Sequence, residues 1–446
     1  MDCSVGEYKV PLGKHEVVAR FDGGRLSSDG GLVWLREVDA ELGVCAGLAA
    51  GIAERRDRRK VKQSIEDLVR QRVFGICCGY EDCNDAETLR EDPLLKVALG
   101  RAPESGRALA SQPTLSRLEN AVTRSDLVRM ARAMVELFVA RHRGAAPERI
   151  VLDADATDDP THGQQELEFY HGYYGRHCYL PLLLFASADG GGEELVAVVL
   201  RPGNRHAGHW VAALLERVVE RLRAAFPETE LVFRGDAGMA LPKVYDYCEE
   251  AGVEYLISLP KNSRLLAMAS ETIGEAQTAF AETGEKVRRF GEFVYAAETW
   301  RQERRVIVKA EVMAQGENPR FVVTNLSPPD PEAIYEFYID RGEIENRIKE
   351  LKNDLFSGRT SCHRFLANQF RLLLHGAAFL LMQGLRRLLA GTELARAQAG
   401  TLRVKLLKVA AQVRETTRRI WIHLPTCYPY QGAWAHLLAR LGPAPP

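Results

Sequence analysis

The stretch Tyr338-Ile-Asp-Arg-Gly-Glu-Ile-Glu-Asn-Arg-Ile-Lys-Glu-Leu-Lys352 decides how the rest of this sequence is interpreted. Four of its polar residues, at successive offsets of three, four and seven, are Tyr338, Arg341, Glu345 and Lys352. Each residue of an α-helix turns by about 100°, so these offsets place the four side chains within an arc of roughly 60°. A separate stripe of Ile and Leu, roughly 80° further round, is typical of a face that packs against a core. We therefore predict one long amphipathic helix.

The polar edge of this helix carries one carboxylate, two cations and a phenol. A carboxylate can hold a divalent metal ion, and Arg and Lys beside it can hold phosphate. The combination suggests phosphoryl transfer on nucleic acid. The alternative is a solvated surface helix with ion pairs between residues four apart. Two acidic motifs upstream weigh against that alternative.

Composition places the chain among ordinary globular proteins. Its 446 residues are 46% hydrophobic and 27% charged, enough for two or three domains. The net charge is −1, yet residues 341–420 contain sixteen Lys or Arg against six Asp or Glu, a local charge of +10. A second basic run occupies residues 55–62. Such an uneven distribution suggests a polyanionic partner.

The nine cysteines are scattered and form no pair of CxxC motifs, so neither a zinc ribbon nor a disulfide framework is predicted. Three histidines and a cysteine, His162, His171, His177 and Cys178, match no standard zinc spacing. We expect local hydrogen bonds there. The N-terminus lacks the pattern of a signal peptide, and the apolar run at 372–385 is too short to cross a bilayer. The expectation is a cytoplasmic protein without a membrane segment.

The order of predicted elements divides the chain into three regions. Residues 1–146 begin with a loop or hairpin and continue as helices, and we predict a DNA-binding region there. Residues 147–390 show three antiparallel strands, a helix, a strand, a helix and a strand, which is an α/β pattern with a mixed sheet. Within it, residues 261–328 are predicted as a β-rich insertion. Residues 391–446 are predicted as a basic helical region.

Three carboxylates stand at places where they can converge. Asp155 lies near the end of the first predicted strand, Asp236 ends the fourth, and Glu345 lies on the late helix. In a sheet of this order the first and fourth strands are neighbours, so their ends meet. Three carboxylates around one point repel each other unless cations join them, which argues for bound Mg²⁺ or Mn²⁺. The alternative for each Asp alone is a turn or capping residue.

With these motifs the chain resembles a DDE transposase of a bacterial insertion sequence. The Tyr-x2-Arg-x3-Glu-x6-Lys spacing is similar to the YREK signature of one transposase superfamily at all four positions. Within it, the chain most resembles the insertion-sequence thirteen-eighty family. The motifs that carry this further resemblance lie at residues 21–31, 72–82, 111–120, 161–165, 359–363 and 368–372. The resemblance implies an RNase H-like catalytic core with the β-rich insertion placed before the last carboxylate.

The resemblance assigns roles to individual residues. It implies that Asp155, Asp236 and Glu345 are the catalytic, metal-binding carboxylates. Asp153, which points to the same side of its strand as Asp155, is the rival for the first position, and Asp158 and Asp159 are interpreted as turn residues. Four further residues are implied to bind DNA: Tyr338, Arg341, Lys352 and Trp300. The first three of these are implied to bind phosphate. For Trp300, which could stack on a flipped base, a place in the core is the favoured alternative. Arg234 could position DNA or a carboxylate.

The function implied is DNA strand cleavage and strand transfer at the terminal inverted repeats of an insertion sequence, with two divalent ions. Its partners are the double-stranded element ends and the target DNA, bound by a homodimer, and the resemblance places the enzyme at the nucleoid. Two alternatives stay open. One is a nuclease of the same fold without strand transfer, and the other is a catalytically silent DNA-binding protein derived from a transposase. The three intact carboxylates argue against the silent protein.

Overall fold

The computed structural model describes residues 7–327 and 330–441. The chain forms two compact units. One, here the terminal unit, comprises Met1–Ala49, Glu54–Ala121 and Leu381–Pro446; the other, the sheet unit, comprises Ala50–Ala53 and Val122–Leu380. This division differs from the predicted regions 1–146, 147–390 and 391–446, whose first and last residues lie outside the described part. Patterning along a sequence marks changes in secondary structure but does not show that two distant ends pack together.

The N-terminal part of the terminal unit is a hairpin followed by short helices. The expected hairpin near the N-terminus is present. Capping residues set several helix starts; the Ser64 side chain, for example, accepts a hydrogen bond from the Asp67 backbone at the start of the third helix. The elements are β1 (Tyr8–Leu12), β2 (His15–Ala19), β3 (Leu26–Ser27), α1 (Leu32–Leu42), α2 (Val44–Ala50), α3 (Ile65–Cys77), α4 (Ala86–Leu89), α5 (Pro93–Ala98) and α6 (Gln112–Ala121).

The sheet unit follows the predicted α/β order. Its first half comprises α7 (Arg124–His142), β4 (Arg149–Ala156), β5 (Asp159–Pro160), β6 (Phe169–His171), β7 (Arg176–Tyr179), β8 (Leu182–Ala188), β9 (Glu194–Val199), α8 (Val211–Ala225), β10 (Glu230–Gly235), a 3₁₀ turn (Ala237–Met239), α9 (Pro242–Glu250) and β11 (Glu254–Leu259). Its second half comprises α10 (Ser263–Met268), α11 (Ser270–Thr283), β12 (Val287–Tyr295), β13 (Arg304–Met313), β14 (Gly316–Glu317), β15 (Arg320–Thr324), α12 (Pro331–Ile339), α13 (Gly342–Lys349), a π-helical turn (Glu350–Asp354) and α14 (Phe365–Leu388).

One large mixed sheet organises this unit. Its strands run in the order β12-β13-β15-β11-β10-β4-β8-β9, with β14 paired to β13. The strands β4, β10 and β11 are mutually parallel, and the other pairs are antiparallel. The first and fourth strands of the prediction, β4 and β10, are direct neighbours. The mixed α/β class is therefore confirmed.

The strands of the predicted insertion belong to this same sheet. β15 pairs with β11, and β13 and β12 follow it outward, while α10 and α11 precede them. The segment 261–328, whose last residue lies outside the described part, is thus strand-rich as predicted but does not form a separate sheet. Alternation in the sequence identified the strands, whereas their pairing depends on contacts that no local pattern shows.

In each strand, the odd-numbered and the even-numbered side chains face opposite layers. On β4, Ile150 and Leu152 lie in the main core, with Phe233 of β10 on the same side. Val151 and Val232 face the other way and pack against α12. Because side chains alternate along a strand, the odd-numbered residues of β4 and the even-numbered residues of β10 point toward the layer that contains α12. Asp153, Asp155 and Arg234 belong to these sets.

The C-terminal part of the terminal unit is only partly helical. Its elements are α15 (Ala399–Leu402), a second π-helical turn (Arg403–Leu407), β16 (Ala411–Glu415), β17 (Ile420–His423) and α16 (Gln431–Leu441). β16 pairs with both β17 and β3. The predicted helical character of residues 391–446 is therefore wrong for this hairpin. Buried Ala411 and Val413 alternate with exposed Gln412 and Arg414, a period of two that the excess of basic residues obscured.

The helix α14 is the one described segment that is long and apolar enough to cross a membrane. Of its most apolar window, 83% is buried inside the protein. Core helices have the same length and composition, so this helix is weak evidence for a membrane segment.

Candidate active site

Two carboxylates lie at the same end of two parallel neighbours. In the register of β4 and β10, Arg234 stands opposite Asp153 and Gly235 opposite Ala154. Asp155 is the next residue on β4, and Asp236 follows β10 directly. The Asp236 Oδ1 accepts a hydrogen bond of 3.0 Å from the Gly238 backbone, which fixes the carboxylate at the start of the 3₁₀ turn. Strand order and register thus bring the first two predicted carboxylates to one edge of the sheet.

Asp155 is held in an environment that opposes its charge. Its side chain is 15% exposed, and burial raises the pKa of its carboxyl to about 6. The Arg341 guanidinium lowers this pKa, while the negative charges of Asp236 and Glu345 raise it. The Arg341 Nη2 donates to the Asp155 Oδ2 over 3.1 Å, and the Ala156 backbone donates to Oδ1 over 2.8 Å. The ionisation of Asp155 therefore depends on the charges of all three neighbours, Arg341, Asp236 and Glu345.

Asp153, the rival candidate, is occupied elsewhere. It is buried, and both of its oxygens accept hydrogen bonds from Arg234, at 2.8 Å and 2.7 Å. The Arg234 Nη1 also donates to the Phe337 carbonyl over 2.7 Å, and its guanidinium lies 5.2 Å from the centre of the Phe337 ring. This pair ties α12 to the sheet. Arg234 therefore positions the segment that carries Tyr338 and Arg341.

The predicted single helix through residues 338–352 is wrong, because the chain breaks it into three pieces. α12 ends at Ile339, where the Asp340 backbone closes the last turn on Glu336, and α13 begins at Gly342. After Lys349 the chain continues as the π-helical turn. The Arg341 backbone donates to the Tyr338 carbonyl over 3.3 Å, so the two side chains remain neighbours through a tight turn. A short break or a π-helical turn hardly alters the helical period of a sequence, so the periodicity of this stretch could not reveal either one.

Tyr338 and Arg341 form the wall of the site next to Asp155. Arg341 is only 9% exposed, and among the residues that the structure describes its Nε has no hydrogen-bond partner. Burial raises the pKa of the Tyr338 phenol, whereas hydrogen bonds with Ser258 and Arg341 lower it. The site therefore contains a neutral phenol and a guanidinium with an unused N–H group, which are suitable donors for a phosphate oxygen.

Lys352 reaches the segment that follows β4. Its Nζ donates to the Thr157 Oγ1 at 3.1 Å, the Asp158 carbonyl at 2.8 Å and the Asp158 Oδ1 at 2.8 Å. The interpretation of Asp158 as a turn residue missed this ion pair, since an acidic residue in a predicted turn carries no signal for a distant partner. Asp159 lies in β5, where burial raises the pKa of its carboxyl to about 7 and Thr360 donates to it over 2.7 Å.

Glu345 is exposed on α13 and shares an open cavity with Asp155. This cavity has a volume of about 300 Å³, and Thr157 and Lys352 also line it. Within residues 7–327 and 330–441, no three Asp, Glu, His or Cys side chains are grouped closely enough to hold one metal ion. The structure thus brings Asp155, Asp236 and Glu345 into one electrostatic neighbourhood, and it does not place all three at ligand distance from one point.

Trp300 packs among aromatic rings, and one of the histidines considered as a metal ligand has a local hydrogen bond. The Trp300 ring packs at 5.2 Å against Tyr245 and 5.4 Å against Tyr295, and it is half-buried against the main core. This packing fits the favoured alternative, a place in the core, and the DNA contact of Trp300 stays a prediction. His177 is hydrogen-bonded at 2.9 Å to Glu168, as expected, whereas the buried Nδ1 of His171 has no hydrogen-bond partner among the residues that the structure describes. Eight cysteines are free thiols, and Cys3 lies outside the described residues.

The comparisons with known proteins agree with this architecture at the level of the family. No curated protein matches the chain. The family model described as "Transposase DDE domain group 1" matches residues 9–446, nearly the whole length. The chain therefore belongs to the transposases of DDE domain group 1.

Proposed function

We propose that this chain cuts DNA strands at the terminal inverted repeats of an insertion sequence and transfers them to new DNA. Membership in a DDE transposase family implies an enzyme of the nucleotidyl-transferase type that binds DNA. The observation that carries the proposal is the meeting of Asp155 with Asp236 at the ends of two parallel strands, next to the cavity that Glu345 lines. A buried carboxylate with a raised pKa beside other acidic groups is typical of an active site.

The finer family assignment is part of the same proposal. The strand order β9-β8-β4-β10-β11, with three antiparallel strands followed by two parallel ones, supports an RNase H-like core. The neighbouring positions of Tyr338, Arg341 and Glu345 support the YREK superfamily and, within it, the thirteen-eighty family. We further propose a homodimer in the complex that pairs two element ends, acting at the nucleoid in the cytoplasm.

The residues fit the divalent ions that DDE transposases generally use. Asp155, Asp236 and Glu345 offer carboxylate oxygens, which are the ligands that Mg²⁺ and Mn²⁺ prefer. Burial is the main cause of the raised pKa of Asp155, and the negative charges of Asp236 and Glu345 add to it, so a cation bound among the three would favour the ionised carboxylate. When bound, two such ions would supply an activated nucleophile and a stabilised leaving oxygen. Glu345 must turn toward Asp155 to share an ion, and its exposed position on α13 leaves room for that rotation.

The basic side chains and the phenol hold the DNA backbone. The Nε–H of Arg341, which has no hydrogen-bond partner in the described part of the chain, can donate to a phosphate oxygen beside Asp155, and the Tyr338 phenol can donate to a second. Lys352, anchored by Thr157 and Asp158, places a positive charge at the rim of the same cavity. These donors orient one phosphodiester relative to the carboxylates, which is the main task in phosphoryl transfer.

The proposed reaction has two phosphoryl transfers and no covalent enzyme intermediate. Water attacks the phosphorus at the element end, the bond to the 3′-oxygen breaks, and that oxygen leaves as a 3′-hydroxyl. This hydroxyl then attacks a second phosphodiester, in the opposite strand or in target DNA, and displaces the 3′-oxygen there. Asp155 is ionised above about pH 6, so the carboxylate form is available at neutral pH.

A cleavage and joining assay tests the proposal. The substrate is a duplex with the inverted repeat that flanks the reading frame, together with a target plasmid and Mg²⁺. Wild-type protein should cut and join it, whereas Asp236→Asn and Glu345→Gln should lose cutting by at least about a hundredfold and keep binding. Glu343→Gln is the matched control, since Glu343 is an exposed carboxylate on the same helix, 3.8 Å from Arg347. Cutting without joining would identify a nuclease, and binding without cutting by wild type would identify a silent DNA-binding protein.

A further inference from the structure

A hairpin rich in exposed aromatic rings stands beside the candidate active site. It consists of β6, the turn at residues 172–175, and β7, and we call it the aromatic hairpin. Tyr170 pairs with His177 across it, and the Gly175 backbone closes the turn on the His171 carbonyl over 2.8 Å. Gly175 has a φ of 64°, the left-handed conformation that glycine adopts without strain. The hairpin is therefore a regular, ordered element.

The rings of the aromatic hairpin are presented to solvent. Tyr173 at the tip is 86% exposed and Tyr170 is 59% exposed. Tyr173 touches Tyr174 edge to face, with the ring centres 5.0 Å apart. Exposed aromatic rings gathered at one place lose favourable burial, and such groups are typical of binding surfaces. In the sequence, His171 and His177 of this segment stood out as candidate metal ligands, whereas its tyrosines formed no motif.

The aromatic hairpin is connected directly to the strand that carries Asp155. β7 pairs with β5. Only Thr157 and Asp158 separate β5, which begins at Asp159, from β4. Arg176 lies 3.9 Å from the Asp158 Oδ2, and Asp158 in turn holds Lys352. Burial raises the pKa of the Tyr174 phenol to about 12, with further contributions from the charges of Asp158 and Asp155. The turn of the hairpin thus lies close to the carboxylates.

The base of the aromatic hairpin is fixed rigidly. The Glu166 backbone donates to the His363 carbonyl, and the Phe365 backbone donates to the Glu166 carboxylate, each over 2.9 Å. The Tyr179 hydroxyl donates to the Glu166 carbonyl over 2.8 Å, and its ring packs 5.5 Å from that of Phe365. A rigid base presents the exposed rings in a defined place, which lowers the entropic cost of binding a ligand.

We propose that Tyr170 and Tyr173 of the aromatic hairpin form a stacking platform for an unpaired DNA base next to the phosphodiester that is cut. The inference rests on the proposed transposase function. The occupant is a base because every base offers a flat π face, and tyrosine rings stack on it without regard to sequence. The partly exposed Arg176 on the same hairpin supplies a positive charge for the flanking phosphate. An unpaired base at this position keeps the cut end from re-forming its duplex.

The test uses 2-aminopurine, a fluorescent base that dims when it stacks. It is placed unpaired beside the cleavage site of inverted-repeat DNA, without divalent ions so that no cutting intervenes. Wild-type protein should quench it, and Tyr173→Ala should leave it bright and bind this DNA about ten- to a hundredfold more weakly. Tyr173→Trp should quench the fluorescence as wild type does, because tryptophan provides a larger π face. Val294→Ala is the control, since Val294 is an apolar residue that is 56% exposed on β12, the outer strand of the large sheet.

The outcomes separate this inference from the proposed function. If wild type cuts and joins DNA while Tyr173→Ala keeps both the quench and the affinity, the stacking platform is refuted and the transposase function stands. If wild type quenches the base through Tyr173 but never cuts in Mg²⁺, the platform stands and the proposed function fails. If Tyr173→Ala alters only the self-association of the chain in sedimentation, the hairpin is an interface between two copies and the proposal is overturned.

Discussion

Replacement of Asp155 by asparagine should make the metal-free protein more stable at neutral pH. The environment of Asp155 raises the pKa of its carboxyl from 3.8 to about 6. A difference of about two pKa units corresponds to about 3 kcal/mol at about 1.4 kcal/mol per unit. The unfolded chain ionises this group freely above about pH 4, whereas the folded protein resists ionisation up to about pH 6. The native state therefore loses stability as the pH rises between these values.

Asparagine has a similar shape and cannot ionise, so Asp155→Asn removes this penalty. At about pH 8 the free energy of unfolding of the variant should exceed that of wild type by up to about 3 kcal/mol, which corresponds to a rise in Tm on the order of 6 °C. At about pH 4.5 the gain should shrink to about 1 kcal/mol, because the folded wild type then keeps this carboxyl protonated and the pH is less than about one unit above the pKa of the unfolded chain. Urea denaturation in EDTA at the two pH values measures the difference.

Asp153→Asn is the matched control, two residues along the same strand. Asp153 is buried against Arg234 with two hydrogen bonds, so its replacement leaves a buried guanidinium without its counter-ion and should cost about 3–5 kcal/mol. The two variants should thus change stability in opposite directions at about pH 8. A destabilised Asp155→Asn, or a gain that is equal at both pH values, would refute the account of the charges at this edge.

Three further outcomes follow from the contacts in the site. Lys352→Ala should lower strand cutting by about tenfold or more, because it removes a cation at the cavity rim, whereas Lys286→Ala, next to the outer strand β12, removes only one of three cations that pair with Glu311 and should have little effect; single-turnover cutting rates decide this. Arg341→Lys should cut far more slowly than wild type at saturating DNA, since an ammonium cannot contact Asp155 and phosphate with separate planar donors; equal rates would remove the guanidinium from the proposal. The affinity for DNA should fall steeply with salt, by at least about a hundredfold between 50 and 200 mM, and a flat dependence measured by fluorescence anisotropy would contradict phosphate binding by the basic residues.

The sequence predicted the neighbourhood of the candidate site well because strands and their order leave strong local signals. Alternation across residues 149–157 identified β4, and a sheet of the predicted order placed Asp155 beside Asp236. Arg341 and Lys352, two of the residues that the offsets within residues 338–352 singled out, contact Asp155 and the carbonyl of Asp158, and their role in holding DNA stays a prediction.

What the sequence did not show depends on contacts between distant residues. The break after Ile339 and the π-helical turn follow from how this segment packs, and the helical period tolerates both. Asp158 gained its role from Lys352, which lies 194 residues away. The two ends of the chain also belong to one unit because of contacts between distant residues. The Gly30 backbone, for example, donates a hydrogen bond to the Val409 carbonyl, and no local pattern links these two residues.

The central claim is that Asp155, Asp236 and Glu345 hold divalent ions together. Titration of Mn²⁺ in the presence of element-end DNA, followed by electron paramagnetic resonance of the free ion, tests it most directly. We predict a pair of bound ions per active site in wild type, and a loss of tight binding in Asp155→Asn, Asp236→Asn and Glu345→Gln but not in Glu343→Gln. Undiminished Mn²⁺ binding in any of the three carboxylate variants would contradict the claim for that residue.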